Sequence, residues 1–306
     1  MSWASCKKGT FIFEKALGGL FFAIIVVAAG ASASAAAPVR KPKANARVSA
    51  QQLVREVVQN EVNAGKTDHS LWRFRKITIK DGKRELHDVI ETKQGEVDRL
   101  LAVNGKPLSP EQRKAADAKI QKLLTDPDEQ KKQEKAQNDD SDKETKLLQM
   151  LPNALLFQYA GRRGSVVKLT FKPNPKFHAS TREAEVFHHM AGVMLLNTKA
   201  KRLVEMSGTL TSEVKFGDGI LGHLDKGGTF MVKQAVVARG HWDMTLLDTE
   251  LTGKALFFKT ISVREKEIES NYRQVPGNIT LRQAAQRLKR DKTEVAAITR
   301  QKVSAK

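Results

Sequence analysis

One cysteine in 306 residues leaves no partner for an internal disulfide, so no disulfide framework staples this fold. A cysteine-rich zinc site is excluded as well. Aromatic residues make up only 6% of the chain, and prolines number nine. Negative charge is also short: 34 Asp+Glu face 53 Lys+Arg, a net +19. No G-x-S-x-G, H-E-x-x-H, P-loop or EF-hand pattern occurs. The seven histidines are scattered, and no serine has a nucleophile's neighbourhood. Neither a catalytic constellation nor a metal or cofactor site is therefore expected, and the chain reads as non-enzymatic. What is present suffices for a core: 40% hydrophobic residues exclude a wholly disordered chain. The length suits one or two domains.

The N-terminus is ordered as an export signal. Lys7, Lys8 and Lys15 precede an apolar run from Ala16 to Gly30, and small residues follow from Ala31 to Ala37. Ala31-Ser32-Ala33 and Ala33-Ser34-Ala35 both suit cleavage. Residues 1–35 are expected to be a signal peptide and 36–48 a linker with two prolines. Ala16 to Ala37 is uncharged and long enough to span a bilayer, so an uncleaved inner-membrane anchor is the alternative. A basic exported protein meets anionic envelope surfaces. Nucleic acid is not expected as a partner, and the expected location is the periplasm.

Along the mature chain, Ser49 reads as an N-cap. Leu53, Val54, Val57, Val58 and Val62 recur at helical spacing, predicting a helix over 49–63. Three strands follow as a meander, Leu71–Ile79, Arg84–Thr92 and Val97–Val103, with Asp81-Gly82 as a hairpin turn. Trp72 and Phe74 share one strand face while Ile77 and Ile79 share the other, which predicts a bulge or two-sided burial. Residues 109–150 read as a charged helical insertion. From Glu111 to Lys146 it carries 10 acids and nine bases. Six further strands are expected between Val193 and Glu269, spaced like an antiparallel sheet. Nine or ten strands in all favour a curled sheet. Residues 277–306 form a basic tail with eight Lys+Arg against Asp291 and Glu294. Within it, Leu281, Ala284, Ala285 and Leu288 could line one helical stripe.

Two patterns imitate functional motifs. Gly217-Asp218-Gly219-Ile220-Leu221-Gly222 matches G-x-G-x-x-G, but its antiparallel surroundings point to turn glycines, not a dinucleotide site. Glu185-x-x-His188 has the spacing of a carboxylate-bridged metal site, but there is no second copy.

Gly208-Thr209-Leu210, Phe216-Gly217-Asp218-Gly219, Lys226-Gly227-Gly228-Thr229-Phe230, Gly240-His241-Trp242 and Gly253-Lys254-Ala255-Leu256-Phe257-Phe258-Lys259 resemble a family of exported proteins common in Acidobacteria-type genomes. Asn104-Gly105-Lys106-Pro107-Leu108-Ser109 does too, and the likeness covers roughly residues 49–276. Its order of elements is similar to outer-membrane lipoprotein carriers of the LolA/LolB type. That resemblance implies a half-barrel domain over 49–276, holding acyl chains in an apolar cavity. The fold expected is α+β: a large curved antiparallel sheet with helices packed on its concave side, plus the charged insertion. The function expected is a periplasmic, non-enzymatic binding protein for a lipid or acylated ligand. The alternative is an envelope-associated structural or interaction protein with a packed core and a basic docking surface. Trp72, Phe74, Phe171, Phe230, Trp242 and Phe257 are the candidates for an apolar ligand cavity.

Overall fold

The architecture comes from a computed structural model, which describes residues 48–217, 219–255 and 259–290. The signal and linker expected before residue 48, Phe257, and the tail beyond residue 290 lie outside the described residues. No helix among the described residues is long and apolar enough to cross a membrane.

The first helix, α1, runs Ala50–Thr67 and is capped by Ser49, whose Oγ accepts from the Gln52 amide at 3.1 Å. Its valine stripe is buried, as its spacing predicts. The meander follows as β1 (Leu71–Lys80), β2 (Lys83–Thr92), β3 (Gly95–Val103) and the short β4 (Lys106–Pro107). The charged stretch is α2 (Pro110–Thr125) and α3 (Pro127–Ala154). Ser109 opens α2 with a capping box, its Oγ and Gln112 bonding reciprocally. The rest is β5 (Leu155–Arg163), β6 (Val166–Pro173), a 3-10 helix (Glu183–His189), β7 (Met190–Asn197), β8 (Arg202–Leu210), β9 (Val214–Phe216), β10 (Gly222–Leu224), β11 (Thr229–Ala238), β12 (His241–Ala255), β13 (Lys259–Val275) and α4 (Leu281–Arg290).

All strand pairs are antiparallel, in one curved, open sheet of 13 strands. The order is β4-β3-β2-β1-β13-β12-β11-β8-β7-β6-β5, with β9 and β10 attached beside β12. The fold is thus α+β, as the strand spacing predicts. The expected bulge in β1 is a register shift against β13 between Arg73 and Arg75. Two strands expected within 241–258 are one 15-residue strand, β12.

The main core lies between the sheet and the layer made by α1 and the end of α3. Val54, Leu151, Leu155, Leu169, Phe187, Met190, Leu196 and Leu247 are almost fully buried in it. A second, smaller core joins β2 and β3 to α2 and α4 through Ile90, Val97, Ile120, Leu281, Ala284 and Leu288. Ile90 pairs with Arg73, while Val89 pairs with Phe74. Strand alternation therefore puts this second core on the face away from Phe74. The described part of the basic tail is a packed helix, its alanine–leucine stripe set against the sheet.

A charged cluster stabilises β1 to β3. Asp98 accepts from His87 at 2.6 Å and pairs with Lys76 at 3.0 Å. Burial pushes the Asp98 carboxyl up, but the hydrogen bond and charge of His87 and the Lys76 ammonium outweigh it and hold it well below the usual range. A carboxyl held low in the fold stabilises it at every pH above the unfolded value of about 4 and loses that contribution as pH falls through the folded value. Asp98→Asn is therefore expected to cost stability at about pH 7 and progressively less below about pH 4. Urea unfolding at both pH values checks this, and a cost independent of pH would contradict it.

Candidate functional site

A cleft of about 400 Å³ opens where the C-terminal end of α1 meets the β11–β12 hairpin. Ala64, Gly65 and Asp68 form one wall, Arg239 to Asp243 the other. Trp72, Glu91 and Gln274 close the base and Arg202 flanks it. The β11–β12 turn carries Gly240 at φ 74, a left-handed position that glycine takes without strain.

His241 organises the cleft. Its ring stacks on Trp72 at 4.2 Å between centroids and 15° between planes. Nδ1 lies 3.0 Å from Asp68 Oδ2 and Nε2 lies 3.2 Å from Asp243 Oδ2. Asp243 is 1% exposed, and its Oδ1 also accepts from the Met244 amide. Ser70 Oγ donates to Asp68 at 2.6 Å and accepts from Trp72 Nε1 at 2.7 Å. Glu91 accepts from the Trp72 amide at 2.8 Å. Trp72 is therefore held through its ring face, its indole N–H and its backbone.

This network is supported from below by Tyr272. Its hydroxyl bonds Glu269 and the Met244 carbonyl, and its ring stacks on Phe74 at 5.1 Å. Burial, with the charges of Glu269 and Asp243 beside it, pushes the phenol far up, so it stays a neutral donor. On the other flank, Arg202 lies 5.9 Å from the Trp242 ring centroid and is tied to Glu61 of α1. Burial pushes the Glu61 carboxyl up, opposed by the Arg202 charge and the Leu203 amide.

The hydrogen-bond pattern is not that of a nucleophile and its base. Ser, His and Asp all meet here, but Ser70 donates to Asp68, whereas a nucleophile's hydroxyl would face the imidazole. Both His241 nitrogens already face carboxylates. The reachable charges are the Asp68 carboxylate, 40% exposed, and the exposed Arg239 guanidinium at the mouth. Among the described residues, no cluster of three or more His, Asp, Glu or Cys is arranged to hold a metal ion.

The structure separates the aromatic candidates. Trp72 and Trp242 line the cleft, whereas Phe74 lies beneath it against Tyr272. Phe171 and Phe230 do not line the cleft. Gly192 and Gly208 face each other across β7 and β8. Phe171 pairs with Gly192 and Phe230 with Gly208. A Cβ on Gly192 would sit 2.9 Å from the Phe171 ring, and one on Gly208 2.9 Å from Phe230. Each ring therefore fills the space its glycine leaves. That is a packing role. Phe257 lies outside the described residues.

The glycine motif resolves as turns and a close strand approach, and Glu185-x-x-His188 lies on the 3-10 helix Glu183–His189. Gly217, Gly219 and Gly222 have φ values of 57, 89 and 136, and the segment leads into β10, not a helix. A Cβ on Gly222 would lie 2.3 Å from the Lys254 carbonyl, which explains the glycine by close strand approach. His188 packs near Phe177 at 5.5 Å.

The sequence reading missed His241, Asp68, Asp243, Glu91, Arg202 and Arg239. One local signal was available: His241 and Asp243 are two apart on a strand and so share a face. The apolar set Trp242, Met244 and Leu246 masked it. The β11–β12 register shifts between Lys233 and Gln234, and Asp243 and Met244, just before the shift on β12, are both buried. Compared with known protein families, with characterised proteins and with solved structures, the chain finds no match.

Proposed function

We propose that the chain is an exported, non-enzymatic binding protein of the bacterial cell envelope, and that its cleft takes a ligand carrying an ammonium and a phosphate. The ammonium pairs with Asp68 and the phosphate with Arg239. The observation that carries this reading is that one small cleft presents an accessible carboxylate and an accessible guanidinium above a base fixed by Trp72 and His241. Its volume falls within the range for small-ligand sites. The N-terminal order of basic, apolar and small residues supports export. A bare acyl chain suits the cleft poorly, because it would strip water from Asp68 and Arg239 without replacing their hydrogen bonds. The lipid-binding expectation is thereby narrowed to a head group.

Two sources supply this chemistry, free phosphoethanolamine and the head group of phosphatidylethanolamine. Native mass spectrometry of the purified chain with each separates them. A one-to-one adduct with the free compound supports a soluble ligand. Binding only to phosphatidylethanolamine vesicles, and not to phosphatidylglycerol vesicles, supports the lipid. Failure with both would sink the reading.

A further inference from the structure

We propose that the exposed edge strand β5 is a docking site for an extended acidic segment of a partner protein, which joins the sheet as an additional strand. This surface is separate from the cleft and does not depend on the ligand proposed for it.

β5 ends the strand order and pairs only with β6 among the described residues. An open edge offers a row of backbone donors and acceptors that a further strand can satisfy. Half of the edge is already closed. The Gln51 side chain donates to the carbonyls of Pro152 and Leu155, and its Oε1 accepts from the Phe157 amide at 3.2 Å. One amide side chain thus imitates a strand over Leu155–Phe157. From Tyr159 to Arg163 every residue is exposed.

Two independent features mark that open half. The first is apolar exposure. Of the five large hydrophobic residues exposed among the described residues, Tyr159, at 50%, lies here, with Val48 beside it and Leu156 in the adjoining closed half. Tyr159 Oη donates to the Val48 carbonyl, which brings two of them together. Exposed apolar side chains grouped at one edge are a mark of an interaction surface.

The second feature is charge. From Leu155 to Arg182 the chain has six basic residues, Arg162, Arg163, Lys168, Lys172, Lys176 and Arg182, and no acid. None of the six makes an ion pair among the described residues, although cations elsewhere in the sheet, such as Lys233 and Lys266, do. Lys172 lies opposite Leu156, and Lys168 opposite Gly161, so cations stand beside the apolar patch in the same hairpin.

Charge complementarity selects the occupant. A second copy would bring the same cations together, which is unfavourable. Residues 36–47 of this chain are basic and hold two prolines, which remove strand donors. An acidic strand alternating with apolar residues satisfies the open backbone, gives Tyr159 an apolar neighbour and pairs the cations.

The test uses the purified full chain and a short peptide alternating glutamate and valine. Fluorescence anisotropy reads binding, and hydrogen exchange reads protection of the amides from Tyr159 to Arg163. Binding with new protection there is expected. N-methylation of the peptide's alternate amides should abolish it. The double variant R162E/R163E should bind about tenfold more weakly or worse, with an unchanged melting temperature showing that it folds. Equal binding of methylated and unmethylated peptides would reduce the effect to general charge attraction and overturn the proposal. So would dimerisation through this edge in solution. Binding of phosphatidylglycerol vesicles, without binding of the peptide, would reassign the surface to a membrane and likewise overturn it.

Discussion

Replacing Glu61 by alanine is expected to lower stability by about 3–5 kcal/mol, the range for removing one partner of a buried ion pair. For a chain of this size the melting temperature should fall by on the order of 10 °C. Glu61 is 2% exposed. One carboxylate oxygen accepts from Arg202 Nε at 3.0 Å and from the Leu203 amide at 2.8 Å, and the other faces Arg202 Nη2 at 3.0 Å. These contacts pin the end of α1 to the start of β8. Removing the carboxylate leaves Arg202 buried and uncompensated and frees the Leu203 amide. Replacing both partners with methionine should recover much of the loss, because well-packed apolar residues can stand in for a buried ion pair. Thermal unfolding of the three proteins decides the matter. A single variant that melts within about 2 °C of the parent would show that the pair does not hold α1 in place.

The second large effect is expected for Gly192→Ala. A Cβ there would lie 2.0 Å from the Ser207 carbonyl oxygen and 2.6 Å from the Gly208 Cα. Those atoms are sheet backbone and cannot turn aside as a side chain can. The Phe171 ring, 2.9 Å away, blocks the remaining direction. Overpacking costs about 1–3 kcal/mol in a core that can adjust, and a backbone clash puts this site at the upper end or beyond. The β7–β8 ladder should loosen first, visible as faster amide exchange in β7 and β8. Shortening Phe171 to leucine in the same chain should not rescue it, since the closest contacts are backbone. Rescue by Phe171→Leu would mean that the ring, not the strand approach, sets the constraint.

These residues also show what was legible in the sequence. The valine stripe of α1 and the turn signals Asp81-Gly82 and Asn104-Gly105 placed the helix and the meander, because local periodicity and turn chemistry act over a few residues. β5 was not legible. Leu155 to Arg163 follows an apolar run broken by Pro152, and its edge position depends on distant pairing with β6. The aromatic candidates were identified as aromatic residues on predicted strands. Residue type cannot tell a ring that covers a glycine, as Phe171 and Phe230 do, from one that faces a cleft, as Trp242 does. The cleft itself joins residues more than 170 positions apart, Asp68 and His241 among them. No local pattern encodes that meeting. It follows from α1 ending beside the β11–β12 hairpin.

Within the cleft, Asp68 and Arg239 are the residues on which the proposed function rests. Titration calorimetry of the purified chain with phosphoethanolamine, alongside Asp68→Asn and Arg239→Gln, tests that function most directly. The account predicts saturable one-to-one binding by the parent, weakened about tenfold or more in each variant, since each removes one charge partner of the ligand. Arg239 is exposed at the mouth, so Arg239→Gln should melt close to the parent, while Asp68→Asn also loses its ion pair with His241 and should melt somewhat lower. No binding by the parent to either phosphoethanolamine or phosphatidylethanolamine vesicles, or equal affinity in all three proteins, would contradict it.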